Sequence, residues 1–155
     1  MEPDVRTYLE RNHAAAMITL RRNGAAHAVR VGIDLHDEKV WSSGTQSRVR
    51  TKHLRRDPRS TLFVFDSQEA GGWRWLTLEC TAAILDGPDA PELNAAFFKQ
   101  LQATMTPAPE AGKLLWYGQP KTEAEFLQAM REERRLIYEF TIERAYGMYG
   151  GLPAR

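Results

Sequence analysis

Apolar positions along the chain change period several times, and each change marks an element. In residues 4–11, Val5 and Leu9 stand one helical turn apart, which predicts a short amphipathic helix. Residues 14–21 (AAAMITLR) and 26–35 (AHAVRVGIDL) are rich in β-branched and apolar side chains and flank Arg22-Asn23-Gly24. Asn-Gly tolerates positive φ at both hairpin positions, so a β-hairpin is predicted there. A second turn at His36-Asp37-Glu38 leads to a third strand over 39–43 (KVWSS), and the short connections predict an antiparallel meander of the three. Residues 45–57 are polar apart from Val49 and Leu54 and read as a surface helix stopped by Pro58. Residues 59–66 return to strand, 68–72 (QEAGG) form a turn, and 73–85 form a long strand. On that strand Trp73, Trp75, Thr77 and Glu79 take one face, and Arg74, Leu76, Leu78 and Cys80 the other.

The later part is helical with one closing strand. Asp89-Ala90-Pro91-Glu92 has the form of a capping box and opens a helix carrying Leu93, Phe97, Phe98 and Leu101. Residues 104–120, broken by Pro107 and Pro109, are the least regular stretch. Thr122 and Glu125 form a second capping box ahead of a helix to about Arg134. Residues 136–144 alternate again, Leu136, Tyr138, Phe140 and Ile142 against Ile137, Glu139, Thr141 and Glu143. The sum is a mainly β, α+β chain: one domain over 1–155, an antiparallel barrel of about six strands with a few peripheral helices.

Composition narrows the chemistry. One cysteine, Cys80, excludes an intrachain disulfide, and the four histidines (13, 27, 36 and 53) lack metal-ligand spacing, so no metal site is expected. No stretch nears the roughly 20 apolar residues of a membrane span, and the N-terminal residues lack an apolar signal segment. A cytoplasmic protein without membrane insertion is expected. Net charge is only +1, yet Arg48, Arg50, Lys52, Arg55, Arg56 and Arg59 face Asp57 alone within twelve residues. A local cationic cluster on a nearly neutral chain points to a discrete anionic ligand. Ser42-Ser43-Gly44-Thr45 stands directly ahead of it, and hydroxyls, helix-start amides and guanidinium forks are the ingredients of a phosphate site. Each basic residue taken alone reads equally well as a solvated helix face. Nucleic acid is not expected as a partner, since no recognition motif accompanies so local a cluster. Nucleophile-elbow, GxGxxG and Walker sequences are absent, so hard chemistry would fall to a cofactor. The four histidines are unremarkable: His27 and His53 could donate to a ligand, yet neither has a carboxylate partner in sequence. Trp73 and Trp75 read as core or interface residues ahead of ring stacking, and Cys80 as a small buried one.

The ordered set of motifs resembles a known superfamily. The Leu20-Arg21-x-x-Gly24 hairpin, Trp41-Ser42-Ser43, and the run from Arg48 through Leu54-Arg55-Arg56-Asp57-Pro58-Arg59 are similar to the pyridoxamine-phosphate-oxidase-like split β-barrel proteins. Within these, the chain looks most like the deazaflavin-dependent oxidoreductases of the B group, with their pattern R-x-(K/R)-x-x-N-L-R-R-D-P-R. Their following strand, W-x-x-x-x-x-E-G-T-A, is matched by WRWLTLECTA, and Arg134-Arg135-Leu136 and Tyr146-Gly147 also fit. The resemblance spans about residues 12–147. It implies an FMN-binding-type split barrel, homodimeric, with the cofactor in a groove at the subunit interface. Ser43, Thr45, Arg48 and Arg50 would hold the cofactor phosphate, Arg30 would lie along the ring system, and Trp73 would arrive from the partner subunit. The cofactor implied is the deazaflavin coenzyme F-420, with FMN as the alternative, and the reaction is hydride transfer to an unsaturated small-molecule acceptor. A non-catalytic flavin, deazaflavin or tetrapyrrole carrier is the rival outside enzymology. No catalytic side chain is assigned. Three positions depart from the pattern: Arg50 replaces the usual Lys, His53 the usual Asn, and Cys80 the usual Gly.

Overall fold

The computed structural model describes residues 1–66 and 73–151, so the turn expected over 68–72 lies outside the described residues. Helix α1 (Pro3–Leu9) precedes strands β1 (Ala14–Leu20), β2 (Ala26–Gly32), β3 (Asp34–His36) and β4 (Lys39–Thr45). Helix α2 (Val49–Arg56) separates these from β5 (Arg59–Phe65) and β6 (Trp75–Leu85). Then come α3 (Ala90–Ala103), the short strands β7 (Lys113–Trp116) and β8 (Gln119–Thr122), α4 (Glu123–Glu132) and β9 (Arg135–Met148).

Seven strands form one sheet in the order β2-β1-β5-β6-β9-β4-β3, every neighbouring pair antiparallel. The expected three-strand meander is therefore corrected. β1 and β2 pair, but the run expected as one strand over 26–35 breaks at Ile33, and β3 pairs with β4 at the far end of the sheet. Ile33 is 1% exposed and its N–H donates to the His13 carbonyl at 3.0 Å, so the break is packed and hydrogen-bonded. Ser42 Oγ donates to the Gly32 carbonyl at 2.7 Å, tying the two edges where the chain crosses between them. The sheet is thus curled, with a core of Met17, Val31, Ile33, Leu62, Leu76, Leu78, Tyr138 and Phe140 inside. This is the split barrel that the motifs imply, with seven strands in its sheet where about six were expected.

Local signals succeed or fail for identifiable reasons. At the first hairpin only Gly24 takes positive φ (+82°), and its N–H donates to the Arg21 carbonyl. Asn23 instead uses its side chain to accept the Ala25 N–H, which makes a three-residue loop rather than a two-residue one. Thr122 and Glu125 form the reciprocal capping box. Asp89 does not cap α3: its backbone is already helical, so its side chain makes no cap bond. Residues 113–122, expected to be irregular up to Pro120, form a hairpin whose turn residues Tyr117 (φ +49°) and Gly118 (φ +75°) both lie in the left-handed region. It packs with α3 and α4 around Phe126, Met130, Leu114 and Trp116 as a second apolar cluster. Trp41, Phe97 and Ile137 join that cap to the barrel wall.

Candidate functional site

Helix α2 starts four residues later than the hydropathy predicts, because Thr45 is still strand, paired with Arg135. Three side chains fix the helix against β4. Thr51 Oγ1 donates to the Thr45 carbonyl at 2.7 Å, which spends its only proton. The buried Tyr138 hydroxyl therefore donates to Thr51 Oγ1, at 2.5 Å. Gly44 makes room for this contact: a Cβ at position 44 would collide with the Tyr138 ring and hydroxyl. The Arg50 guanidinium lies 5.7 Å from the centroid of the same ring.

Arg135, the first residue of β9, faces this corner. Its guanidinium sits 4.9 Å from the Trp116 ring centroid and donates to Ser43 Oγ at 3.1 Å. Glu133 lies 3.6 Å away and also accepts from Trp116 Nε1 at 3.0 Å. Ser43 in turn donates to Oδ1 of the fully buried Asn94 at 2.5 Å, and Asn94 is anchored to the Ala90 carbonyl. A chain of hydrogen bonds from α3 therefore holds Arg135 in place. Burial makes its charge harder to carry; Glu133 and Tyr117 oppose that, while Arg48 and Arg50 add to it. A guanidinium keeps its proton regardless, so the arrangement is a fixed cation with too little counter-charge. The buried Nε atoms of Arg50 and Arg135 have no hydrogen-bond partner.

An open cavity of about 530 Å³ lies over this corner, lined by Thr45, Ser47, Arg48, Val49, Tyr117, Glu133 and Arg135. Thr45 Oγ1 and Ser47 Oγ stand 3.3 Å apart at its edge. Of the six residues singled out in the sequence, Thr45 and Arg48 line the groove, Ser43 stands behind Arg135, and Arg50 lies on the α2 side. Arg30 and Trp73 are elsewhere. Arg30 belongs to a cross-strand row on the outer face, Arg30–Ala16–Phe63–Thr77–Tyr146. Trp73 precedes β6 and is 60% exposed. Ser47, Tyr117, Glu133 and Arg135 line the groove without a site role assigned from the sequence. Arg135 stands in a matched motif but carries no role there, and Tyr117, Glu133 and Arg135 enter through pairings and turns formed far from the basic cluster.

The six cations of that cluster divide by face. Arg55 bonds to Asp86 (2.7 Å) and Gln46 (2.6 Å), and Arg59 bonds to Asp57 (2.7 Å). Those two are neutralised, while Lys52 and Arg56 turn to the opposite side of α2, next to the β1–β2 hairpin. Cys80 is buried, and burial, with Glu143 and Glu79 nearby, pushes its thiol up to about 12, so it is inert packing. Among the described residues, no helix is long and apolar enough to cross a membrane.

The profile of a family described as pyridoxamine 5'-phosphate oxidase matches residues 1–149. No curated protein matches the chain. Among solved structures, a conserved hypothetical protein from Mycobacterium tuberculosis superposes with a TM-score of 0.70 at 17% identity, over 100% of this chain and 90% of its own. A structure described as an F420 reductase gives 0.64 at 15% identity, over 91% and 94%. An FAD-binding protein from Mesorhizobium loti gives 0.64 at 14%, over 95% and 94%. At these identities the likeness is one of fold.

Proposed function

This chain belongs to the pyridoxamine 5'-phosphate oxidase family, and from that premise we propose that it is a deazaflavin-dependent reductase that passes a hydride to an unsaturated organic acceptor. The observation that carries the reading is the groove beside α2, with Arg48, Arg50 and Arg135 converging and two buried guanidinium Nε atoms unpartnered. Such a site fits a phosphate group. Arg48 and Arg135 would take its oxygens, Thr45 and Ser47 would donate from the rim, and Ser43 would act as a positioning residue through its bond to Arg135. The first amides of α2 add the favourable end of a helix dipole. When bound, a reduced deazaflavin supplies both electrons together as hydride, so the protein's task is to orient two rings and exclude water. Supporting the deazaflavin ahead of FMN is the motif resemblance over residues 12–147.

The working unit in this reading is a cytoplasmic homodimer. Phe63 and Phe65 on β5, Trp75 on β6 and Tyr146 and Met148 on β9 make a continuous outward face, with Phe63–Trp75 and Trp75–Tyr146 centroids 5.9 and 6.2 Å apart. Phe65, Tyr146 and Met148 are 44%, 40% and 52% exposed, a cost that a self-complementary second copy would remove. Trp73 of one copy would then reach the groove of the other, and Arg30 would line the same seam. Fluorescence titration with coenzyme F-420 and, separately, FMN tests the proposal. Tighter F-420 binding, followed by its oxidation on adding an enone or quinone acceptor, supports it. Preference for FMN moves the protein to the flavin oxidases, and tight binding without turnover makes it a carrier.

A further inference from the structure

Across α2 from the groove lies a second cavity, also about 530 Å³, lined by Arg21, Arg22, Asn23, Val49, Lys52, His53 and Arg56. The two cavities meet at Val49, the first residue of the helix. Four cations from two elements face this space and no acidic residue lines it. Arg21 and Arg22 come from the β1–β2 hairpin, Lys52 and Arg56 from α2. Among the described residues, none of the four forms an ion pair, whereas Arg55 and Arg59 on the same helix and its exit do. Arg56 also donates to the Leu20 carbonyl, and the four positive charges share one open space without an acid between them.

Beneath the cations are two imidazoles. His53 is only 7% exposed, and its Nδ1 lies 2.8 Å from Oγ1 of the fully buried Thr19. With Thr19 donating to Nδ1, the neutral ring carries its proton on Nε2, which has no partner among the described residues. His27 of β2 meets His53 edge to face at 5.2 Å, and its buried Nδ1 is also unpartnered. His53 thus brings an unpartnered ring nitrogen to the wall of the cationic cavity, and His27 stands against it without lining the cavity.

We propose that this cavity is a second anion site, separate from the groove, which takes a phosphate, sulfate or carboxylate group between Arg21, Arg22, Lys52 and Arg56 with His53 as its floor. The anion is either free or the second charged group of a ligand whose phosphate occupies the groove. The site does not depend on the cofactor reading. His53 tunes it. Burial first, then His27, Arg56 and Arg21, hold this imidazole below its ordinary value, so it is neutral at neutral pH in the empty site. A bound anion favours the protonated ring, and by linkage anion affinity rises as pH falls through the His53 titration.

Sulfate is the probe, since it stays dianionic throughout that range. Histidine-labelled protein is titrated at constant ionic strength with chloride as the counter-anion, and the His27 and His53 ring resonances are followed. The groove contains no histidine, so these signals read the second cavity alone. Saturable shifts that survive Arg48→Ala are expected, weakened at least about tenfold by Lys52→Ala with Arg56→Ala, both exposed positions. His53→Asn is expected to bind sulfate with most of the pH dependence gone. Ring resonances that do not move, or that move equally in the Lys52/Arg56 variant, overturn the proposal. A series of alkanediol bisphosphates separates the sources. Tighter binding than sulfate at one linker length, lost in Arg48→Ala, identifies a ligand spanning both cavities, and uniform affinity identifies a free anion. Loss of F-420 binding in Arg48→Ala with sulfate binding intact would bear on the groove and leave this site standing.

Discussion

The two halves of β9 are one strand with opposite circumstances. From Arg135 to Phe140 it is paired with β4, from Ile137 onward with β6 as well, and Leu136, Ile137, Tyr138 and Phe140 are fully buried. From Arg144 to Met148 it pairs with β6 alone, beyond a register shift at Glu79/Cys80 that leaves Glu143 unpaired, and exposes Tyr146 and Met148. The first half holds a finished structure: Tyr138 locks α2, and Arg135 is set by Ser43 and Asn94. The second half presents an exposed apolar face, the one on which the proposed dimer rests. The proposed ligand groove therefore lies where packing is complete, and the proposed docking face where it is not.

Breaking each half separately sharpens that contrast. The largest effect is expected at the open half. Phe65→Glu with Met148→Glu, flanking Trp75 in one cross-strand row, should weaken the dimer by about 4 kcal/mol at about 2 kcal/mol per anchor. Light scattering would show monomer, with far-ultraviolet circular dichroism unchanged. In the closed half, Gly44→Val should lower the unfolding free energy by about 3 kcal/mol through overpacking against Tyr138. Chemical denaturation measures this, and a value near zero would mean that Tyr138 has another place to go. Arg135→Ala and Arg50→Ala should each weaken F-420 binding by about 1.5–3 kcal/mol, the range for a charged hydrogen bond, with little change in oligomeric state.

The smallest effect is a pH dependence. Because the folded state holds His53 below its unfolded value, the stability this contributes is present above the ordinary histidine range. It is lost as pH falls below it, since the unfolded chain then binds the extra proton. Thermal melts from pH 7 to pH 5 should show a decline that His53→Asn reduces, and an identical decline in both proteins would assign the titration elsewhere.

How much of this was legible in the sequence follows from the range of the interactions. The Gly24 hairpin and the Thr122–Glu125 box depend on residues within a few positions, and both form where the motifs predict. Tyr117-Gly118 makes a hairpin turn without the Asn-Gly signature, so three nearby prolines dominated the pattern and the hairpin was missed. The basic cluster was visible as charge density. Its sorting was not, since neutralising Arg55 takes Asp86, thirty-one positions away. Arg135 joins the groove only through its pairing with Thr45, a contact that no local period encodes. Sheet order was hidden for the same reason: the break at Ile33 is one residue wide and sends consecutive strands to opposite edges.

That one-residue crossing sets the order of events during synthesis. β2-β1-β5-β6 can assemble as soon as β6 has been made, and β3-β4 can form its own hairpin, but the two pieces share no neighbour until β9 arrives between them. A nascent chain halted after α4 would carry two open sheet edges and an unlocked α2, the condition in which strands seek the wrong partner. Closure of the barrel, completion of the groove beside α2 and display of the aromatic face therefore fall to the same late strand, so a chain that has not finished folding has neither the proposed ligand site nor the proposed docking face.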